Sequence, residues 1–466
     1  MTFRAAVVGA GPAGFYACEQ LLGEGFEVDL IDLLPTPFGL VRSGVAPDHP
    51  KIKSVTRVYE KTAGRDGFRF FGGLELGADI TRSQLRERYH AVLYATGTAD
   101  DNRLGIPGED RPGSYPATRF VAWYNGHPGA CEEQFDLSAR RAVVVGNGNV
   151  ATDLARMLVL TPDELTATDT ADHAIEAFNA SAVRDVVVLG RRGPAQAAFT
   201  NPELRELGEL TRADIDVDPA ELELDPDSSA WLESEGSPTA RRNVEILREF
   251  AAREPHGHSH RVALRFLRSP VEILGEGEDG RVTGMRVVHN RIERSADGRL
   301  RAVPTGREEV IECGLVLRSI GYRGQPLAGI PFDERRGLIR NDGGRVCDDD
   351  GAPIAGEYCV GWIKRGPTGV IGTNKKDAAD TVAKVLEDAR AGRLPEPDAA
   401  LADPDATAHW LRDAAPAVVE WDGWQAIDAH ERGLGEPAGR PRVKLVRVDH
   451  LHDVAAGASV VGSPES

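Results

Sequence analysis

Short apolar runs recur along the chain, and segments with helical periodicity lie between them. The runs that predict buried strands lie at residues 5–8, 28–31, 91–97, 142–145, 186–189 and 358–360. Helices are predicted at residues 15–22, at 152–160 and from 375 onward, where Ala379, Val382 and Leu386 share one face. Strands that alternate with helices predict an α/β fold with parallel sheets. No apolar run approaches the length of about 18 residues that a membrane-spanning helix needs.

The first apolar run ends in a glycine-rich turn, GAGPAG, which opens the first predicted helix. Such a turn between a strand and a helix is typical of dinucleotide sites, where the helix N-terminus faces the phosphates. The next predicted strand ends in an acid, at the distance where an acid binds a ribose hydroxyl. The candidate residues are Gly9, Gly11, Pro12, Ala13, Gly14 and Asp32. The alternative is a glycine turn that binds no ligand.

A second turn of this type follows the run at 142–145, with Ala151 in place of the third glycine. Its candidate residues are Gly146, Asn147, Gly148, Asn149 and Val150. The strand at 186–189 is followed by Arg191 and Arg192, where a ribose-binding acid would otherwise stand, and paired guanidinium groups suit a 2′-phosphate. We therefore expect NADP(H) rather than NAD(H), with a solvated basic corner as the alternative. Because the interval is about twice the usual twenty residues, an inserted helical segment is expected around 162–178.

Two irregular stretches and one helix start carry further candidate groups. Residues 34–53, with four prolines, predict an ordered loop without helix or strand, and His49 within it is by residue type a surface histidine. Residues 357–376 predict a strand, a turn at 366–368 and a helix that starts near 369–372, so that its N–H groups face a ligand. Trp362 lies in this stretch and has core packing as its alternative role. Glu203 is by residue type an exposed acid in the first turn of a helix.

Composition limits the class of protein. The net charge of −18 over 466 residues disfavours nucleic acid as a partner. Five scattered cysteines without a Cys-x-x-Cys pair indicate a reducing cytoplasm and argue against a redox disulfide, an iron–sulfur cluster or a zinc site. Residues 256–260, HGHSH, are interpreted as a solvated loop rather than metal ligands, so no metal is expected. The apolar N-terminus is not expected to be a secretion signal, because cleavage would remove the first glycine turn.

The loop at 34–53, the strand AVLYATG at 91–97 and the linker LGIPGED at 104–110 resemble the adrenodoxin-reductase family, the bacterial and mitochondrial NADPH:ferredoxin reductases. The pair Gly361–Trp362 is similar to the pattern of that family and differs from the Gly-Asp pair of many flavin enzymes. The resemblance implies two Rossmann-like three-layer domains. An NADP domain at 105–323 is expected to be inserted into an FAD domain at 1–104 and 324–466. The segment after residue 393 is expected to pack on the FAD domain.

The resemblance also implies roles for individual residues. His49, Glu203 and Asp153 match catalytic positions of the family, and Glu203 also lies at the nicotinamide end of the cofactor site. The flavin contacts implied are Leu40, Leu76, Trp362, Gly369, Val370 and Ile371. The chain departs from the family at Asn102, where an arginine is common, and no cofactor contact is assigned to Asn102 or Arg103.

These features predict an NADPH-dependent flavoenzyme that passes a hydride from NADPH to FAD. Single electrons would then pass to a ferredoxin, and a cytochrome P450 is one acceptor further downstream. The ferredoxin, a small iron–sulfur protein, is implied by the resemblance. A basic patch is expected to dock it, with the candidates Lys364, Arg365, Lys375 and Lys376 near the flavin segment, together with Arg205, Arg241 and Arg242. One alternative is a non-catalytic NADP(H)-sensing module. The other is an electron-feeding subunit resembling the small subunit of glutamate synthase, which would carry an N-terminal cysteine-rich cluster domain.

Overall fold

The computed structural model describes residues 2–277, 280–415 and 417–457, and the chain divides into two compact units. The terminal unit consists of Met1–Asp100, Asn125–Pro128 and Gly321–Ser466, and the middle unit of Asp101–Tyr124 and Gly129–Ile320. Two short strands, Asp100–Asp101 and Tyr322–Arg323, lie where the chain leaves one unit for the other. Residues 125–128 return to the terminal unit, which no sequence feature predicted.

The terminal unit is built on a seven-stranded sheet. Five parallel strands stand in the order Pro353–Cys359, Ala91–Tyr94, Arg4–Val8, Glu27–Asp32 and Phe68–Gly72. Two antiparallel strands, Arg345–Cys347 and Asn341–Asp342, extend the edge, and Phe332–Asp333 pairs separately with Leu338–Ile339. The parallel strands are largely buried, although they carry charged residues such as Asp29 and Glu357, which are paired with arginines.

The helices of the terminal unit include two long ones that pack together, Pro12–Gly23 and Thr373–Arg390. The others are Leu40–Ser43, Pro50–Lys53, Thr56–Ala63, Arg82–Arg88, Trp362–Arg365, Pro404–Ala414, Trp421–Gly435, the 3₁₀ turn Glu436–Ala438 and Val448–Ala455. The buried face of Thr373–Arg390 differs from the predicted one, because Ala378, Val382 and Val385 are buried while Ala379 and Leu386 are only half-buried.

The C-terminal segment packs on the terminal unit, as expected. Trp424 is buried and its ring meets Phe38 edge-on at 5.4 Å. The carboxylate of Glu431 is fully buried and accepts hydrogen bonds from Arg42, Arg442 and the N–H of Leu445. Since an unpaired carboxylate could not be buried there, these contacts fix the C-terminal helices to the helix Leu40–Ser43, which contains Arg42.

The stretch at 34–53 is more regular than predicted. It contains two single-turn helices, Leu40–Ser43 and Pro50–Lys53, where the prediction was a loop without helix or strand. Pro50 does not interrupt its helix because it occupies the first turn, where no backbone donor is needed. Phe38 takes a positive φ of 85° and is nevertheless buried, so aromatic packing outweighs the strain of its backbone.

Asp388 near the end of Thr373–Arg390 should make the terminal unit sensitive to acid. Burial opposes its ionisation, but hydrogen bonds from Arg345, Tyr358 and Arg393 outweigh burial and lower its pKa to about 2. The unfolded-state pKa is about 3.9, so its stabilisation is present above that pH and is lost as the pH falls toward 2. Replacing it, Asp388→Asn, should lower the free energy of unfolding by about 2–3 kcal/mol at pH 7 and by about half as much at pH 3.

Urea unfolding of parent and variant at pH 7, 5 and 3 measures this difference. The control is Asp350→Asn, at an exposed loop residue, and this variant should have the parental free energy of unfolding at each pH. A stability loss in Asp388→Asn that is the same at pH 7 and pH 3 would contradict the assignment.

The middle unit has a six-stranded parallel sheet and a separate antiparallel sheet. The parallel strands stand in the order Ser114–Pro116, Leu315–Arg318, Arg141–Val145, Asp185–Leu189, His260–Arg265 and Ala213–Val217. The antiparallel strands are Arg268–Glu276, Arg281–Arg294 and Leu300–Glu312. Residues 261–265 thus belong to the parallel sheet, and residues 281–288 belong to the antiparallel sheet.

The helices of the middle unit are Ala117–Tyr124, Asn149–Met157, Pro162–Thr166, Asp172–Asn179, Asn201–Leu207, Pro226–Ser234 and Pro238–Ala251, with 3₁₀ turns at Pro194–Gln196 and Pro219–Leu222. The inserted helical segment at 162–178 is confirmed as two helices, whereas Pro226–Ser234 and Pro238–Ala251 were not predicted. In the part of the chain that the structure describes, no helix is long and apolar enough to cross a membrane.

Candidate functional site

The first glycine turn has the geometry that a pyrophosphate requires. Gly9 has a φ of +111°, and a Cβ there would lie 2.6 Å from the carbonyl oxygen of Ala95. A Cβ on Gly14 would lie 2.0 Å from the carbonyl oxygen of Gly9, so the helix can approach the strand only without a side chain. A Cβ on Gly11 would meet nothing within 4 Å. Two glycines are therefore required by packing, and the third faces open space at the helix N-terminus.

The helix after this turn begins at Pro12, three residues before the predicted start. Its N-cap residue, Gly11, has no side chain that could cap the first N–H groups. Those groups are available to an anion, and the proline at the first position has no N–H to lose. Ala13 and Gly14, both buried, supply the next backbone N–H groups.

Asp32 stands at the end of its strand, as predicted. Its carboxylate accepts hydrogen bonds from the N–H of Ala10 at 2.6 Å and of Leu34 at 2.8 Å. Burial raises the pKa of Asp32 to about 6, and the two backbone hydrogen bonds oppose that rise. Each carboxylate oxygen can accept a further hydrogen bond, so the group can still hold a ribose hydroxyl.

The loop after Asp32 packs against the first glycine turn, and apolar side chains lie exposed beside that turn. A Cβ on Gly39 would lie 2.9 Å from the Cα of Gly11, so the loop backbone passes directly beside the turn. Leu40, which follows, is 41% exposed although it is apolar, and Leu76 is half-buried. Exposed apolar side chains beside a phosphate-binding turn suit an aromatic ring system.

His49 is buried, with 8% of its surface exposed, which corrects the expectation of a surface histidine. The reason is local folding: its N–H donates to Ala46, and its carbonyl accepts from Ile52 and Lys53 in the turn that follows. Residue type alone could not reveal this, because the loop had been expected to lack such turns.

The segment around Trp362 also lies against the first turn. Gly361 has a φ of +79°, and a Cβ there would lie 2.5 Å from the Cβ of Ala13. Its N–H donates at 2.6 Å to the carboxylate of Asp377, a residue that the sequence analysis missed. Trp362 is half-buried and stacks on Tyr322 at 5.7 Å, and its buried indole N–H has no hydrogen-bond partner in the described chain. Trp362 is thus not simply a core residue.

The helix after this segment begins at Thr373, later than the predicted start near 369–372. Gly369 and Val370 are exposed and Ile371 is half-buried, so these three residues form a surface loop before the helix. The side-chain oxygen of Thr373 accepts the N–H of Val370 at 3.1 Å, which fixes that loop to the first turn of the helix.

The expected basic patch is only partly exposed. The ammonium group of Lys364 lies 3.0 Å from Asp377, and the guanidinium of Arg365 donates to Asn374 at 2.9 Å. Both side chains therefore also serve the internal structure of the terminal unit. Lys375 and Lys376 are exposed.

The second glycine turn repeats the geometry of the first. Gly146 has a φ of +136°, and a Cβ there would lie 2.0 Å from the carbonyl oxygen of Ser319. Gly148 faces open space, since a Cβ there would lie no closer than 4.0 Å to the Cβ of Ala198. Ala151 is fully buried, so a methyl group fits where the first turn requires glycine.

Two asparagines complete this second turn. The side chain of Asn147 lies across Gly190, where a Cβ would come within 2.6 Å of its amide nitrogen. The side-chain oxygen of Asn149 accepts the N–H of Thr200 at 2.8 Å, and Val150 is half-buried in the first turn of the helix. Asn147 thus links the turn to the strand end that carries the arginine pair.

Arg191 and Arg192 have the properties of an anion site. Arg191 is exposed and Arg192 half-buried, and among the described residues neither guanidinium has a hydrogen bond or ion pair. Burial and the neighbouring charge of Arg191 lower the pKa of Arg192. The backbone of the pair is fixed by two hydrogen bonds. The side-chain amide of Asn290 donates to the carbonyl of Arg191 at 2.8 Å, and the N–H of Leu267 donates to the carbonyl of Arg192 at 3.1 Å. Two adjacent uncompensated cations suit a phosphate dianion.

Glu203 is buried, with 7% of its surface exposed, which corrects the expectation of an exposed acid. Its carboxylate lies 3.3 Å from the guanidinium of Arg156, which is also 3.1 Å from Asp153 and 3.3 Å from Glu206. The structure thus brings the candidates Asp153 and Glu203 together around one buried arginine. No sequence signal marked Arg156, because an arginine in a helix is usually exposed.

All five cysteines are free thiols, and Cys131 alone among them is not fully buried. Burial raises the pKa of Cys313 to about 12 and that of Cys18 further still. Because the thiolate is the reactive form, these buried groups are poor redox nucleophiles.

Comparisons with known proteins agree with this geometry. A family model described as pyridine nucleotide-disulphide oxidoreductase matches residues 3–187. NADPH-ferredoxin reductase FprA of Mycobacterium tuberculosis is 47% identical over 466 residues, which cover 97% of this chain and 99% of that protein. The mitochondrial NADPH:adrenodoxin oxidoreductase of Salvelinus fontinalis is 40% identical over 465 residues, with coverage of 97% and 91%.

A solved structure gives the same result in three dimensions. The structure of Mycobacterium tuberculosis FprA in complex with NADPH superposes with a TM-score of 0.91 at 46% identity, covering 98% of this chain and all of that one. The chain belongs to the family of NADPH–ferredoxin reductases that contains FprA and adrenodoxin reductase.

Proposed function

We infer that this protein is an NADPH–ferredoxin reductase that binds FAD in the terminal unit and NADPH in the middle unit. One observation carries this inference: the two units contain matching glycine turns whose following strands end in opposite charges. The strand in the terminal unit ends at Asp32, and the strand in the middle unit ends at Leu189 and is followed by Arg191 and Arg192. An acid accepts ribose hydroxyls and repels a 2′-phosphate, whereas two arginines bind it.

The residues of the terminal unit fit FAD. The open space at Gly11, the uncapped start of Pro12–Gly23 and the free lone pairs of Asp32 suit a pyrophosphate and a ribose. Leu40, Leu76 and Trp362 offer apolar surface for the ring system, with Gly369, Val370 and Ile371 on the loop before the next helix. When bound, the flavin accepts a hydride from a nicotinamide and releases electrons singly to a one-electron acceptor.

The protein's own residues supply binding and orientation. Gly146, Gly148 and the start of Asn149–Met157 would hold the pyrophosphate of NADPH, and Arg191 and Arg192 its 2′-phosphate. Glu203 would orient the carboxamide side of the nicotinamide. His49, held by its turn, would order the flavin edge and accept the proton that is released on reoxidation.

The electron acceptor proposed is a ferredoxin. The exposed Lys375 and Lys376 are the part of the expected basic patch that remains available to an acidic partner.

The function is tested with purified protein. We expect a yellow protein with one FAD per chain, which NADPH bleaches under anaerobic conditions and which then reduces a ferredoxin. A colourless protein that binds no FAD but binds NADPH would instead support the sensing module. Bleaching by NADPH without transfer to any ferredoxin would overturn the choice of acceptor.

We predict that His49→Gln and Glu203→Gln each slow flavin reduction by NADPH about tenfold to a hundredfold in stopped-flow measurements. Hydride transfer depends on the reacting atoms being held about 3–3.5 Å apart, and a displacement of about 1 Å can cost roughly a hundredfold. FAD content and NADPH affinity should stay within a few-fold, since neither residue lies in a phosphate-binding turn.

The exposed residues His409 and Glu209 provide matched controls, His409→Gln and Glu209→Gln, which should behave like the parent. Parental rates in both test variants would mean that the two nucleotide folds alone position the cofactors.

A further inference from the structure

Arg156 is a buried cation whose role the function above does not explain. It lies in the last turn of Asn149–Met157, and its side chain is only 3% exposed. One guanidinium nitrogen, Nη2, is 3.1 Å from Asp153, and the other, Nη1, is 3.3 Å from both Glu203 and Glu206. We propose that Arg156 is a positioning residue for hydride transfer that acts through Glu203. The proposal rests on the function inferred above.

Two hydrogen bonds place the helix that carries Glu203. The N–H of Ala198 donates to the carbonyl of Asn147 at 3.0 Å, and the N–H of Thr200 donates to the side chain of Asn149 at 2.8 Å. These bonds fix the start of Asn201–Leu207 to the second glycine turn. The ion pair between Arg156 and Glu203 further links the helices Asn149–Met157 and Asn201–Leu207, about two helical turns beyond Asn149. The carboxylate of Glu203 is therefore held in a set position relative to the nucleotide turn.

The chemistry requires an arginine at this position. A planar guanidinium can contact Asp153 through one nitrogen and Glu203 through the other at the same time, and its own orientation is thereby fixed. The ammonium group of a lysine is a point charge on a flexible stem, so it would neutralise the acids without fixing the direction of either. Arg156→Lys separates charge from orientation.

Adhesion between the two helices does not require this cluster. The same helix pair already buries Leu154, Leu204 and Leu207 in the main apolar core of the middle unit. Burying a guanidinium among three carboxylates is costly, and apolar side chains of similar volume are often at least as stable in such places. Helix packing therefore does not explain the cluster, whereas orientation of the Glu203 carboxylate does.

The test uses the FAD-loaded full-length protein in anaerobic stopped-flow mixing with NADPH. Arg156→Lys is expected to slow flavin reduction about tenfold while the apparent Kd for NADPH stays within about threefold, because a small displacement of a positioning group affects rate more than binding. The double variant with Glu203→Gln should be no slower than Glu203→Gln alone, since Arg156 acts through Glu203. Arg318 is a second buried arginine of the middle unit, paired with Glu109 at 3.6 Å, and Arg318→Lys should leave the reduction rate unchanged.

The measured rates decide whether Arg156 has a positioning role. A parental rate in Arg156→Lys, or rate losses that multiply in the double variant, would overturn the positioning role. If Arg156→Lys does not fold, Asp153→Asn replaces it, because that variant removes one of the contacts that orient the guanidinium; a parental rate there would equally overturn the proposal. A parent whose flavin NADPH does not reduce would instead overturn the proposed function.

Discussion

The double variant Arg191→Ala/Arg192→Ala is expected to raise the KM for NADPH by about two to four orders of magnitude and to change the KM for NADH by no more than a few-fold. Each charge-assisted fork to the 2′-phosphate contributes about 1.5–3 kcal/mol, and 1.4 kcal/mol corresponds to a factor of about ten. NADH has no phosphate at this position, so it loses nothing when the arginines are removed. The structure supports a large effect because neither guanidinium has a competing partner among the described residues.

Steady-state reduction of a small dye with each nucleotide measures this preference. The KM for NADPH of Arg191→Lys/Arg192→Lys should lie between those of the parent and the double alanine variant. Lysine keeps the positive charge but cannot donate two parallel hydrogen bonds to the phosphate. The side chain of Arg299 is 81% exposed and lies in the turn that connects two strands of the antiparallel sheet. Arg299→Ala is therefore the control for the loss of a surface charge. Equal losses with NADPH and NADH would show that the pair does not bind the 2′-phosphate.

The glycine turns and the strands that lead into them could be predicted from sequence because their signals are local. A run of apolar residues, a glycine at a fixed offset and an acid or arginine at the next strand end are all set by contacts within one βαβ unit. The strands that lead into the two glycine turns differ from prediction by a single residue, at Arg4 and Arg141. The prediction was wrong by more elsewhere, because the strand predicted at 91–97 ends at Tyr94 and the one predicted at 358–360 begins at Pro353. The predicted helix starts were less accurate. The helices begin at Pro12 and Asn149, about three residues before the positions that their apolar residues indicate.

Burial of single polar residues could not be predicted, because it depends on distant parts of the chain. His49 and Glu203 each have the residue type and the local context of surface groups, yet both are buried. Asp377 escaped notice because its partner, the N–H of Gly361, lies sixteen residues away and in a different element. Glu431 is a similar case, since Arg42 lies in the first tenth of the chain. The resemblance to a known family identified His49 and Glu203 as candidates, whereas it gave no indication of Arg156.

Substitutions of the first glycine turn should separate folding from flavin binding. Gly14→Ala would place a Cβ 2.0 Å from the carbonyl oxygen of Gly9, and a backbone atom at that distance cannot move aside cheaply. We expect the variant to lose several kcal/mol of stability, roughly 10 °C or more in Tm, and to be isolated without FAD. Gly11→Ala has open space around its new methyl group, so its apoprotein should melt close to the parental apoprotein.

The two variants should nevertheless share one defect, since the methyl group of Gly11→Ala occupies the space through which a pyrophosphate approaches the helix N-terminus. FAD should therefore bind at least about tenfold more weakly to Gly11→Ala, which is measured by fluorescence titration of the apoprotein and by flavin content after gel filtration. The pair Gly146→Ala and Gly148→Ala repeats the contrast in the middle unit, with a 2.0 Å overlap on Ser319 in the first and open space in the second. There NADPH binding should fail while FAD stays bound in Gly148→Ala. A Gly11→Ala protein that holds FAD as tightly as the parent would place the pyrophosphate elsewhere, and a Gly14→Ala protein with parental Tm would mean that the helix can shift away from the strand at little cost.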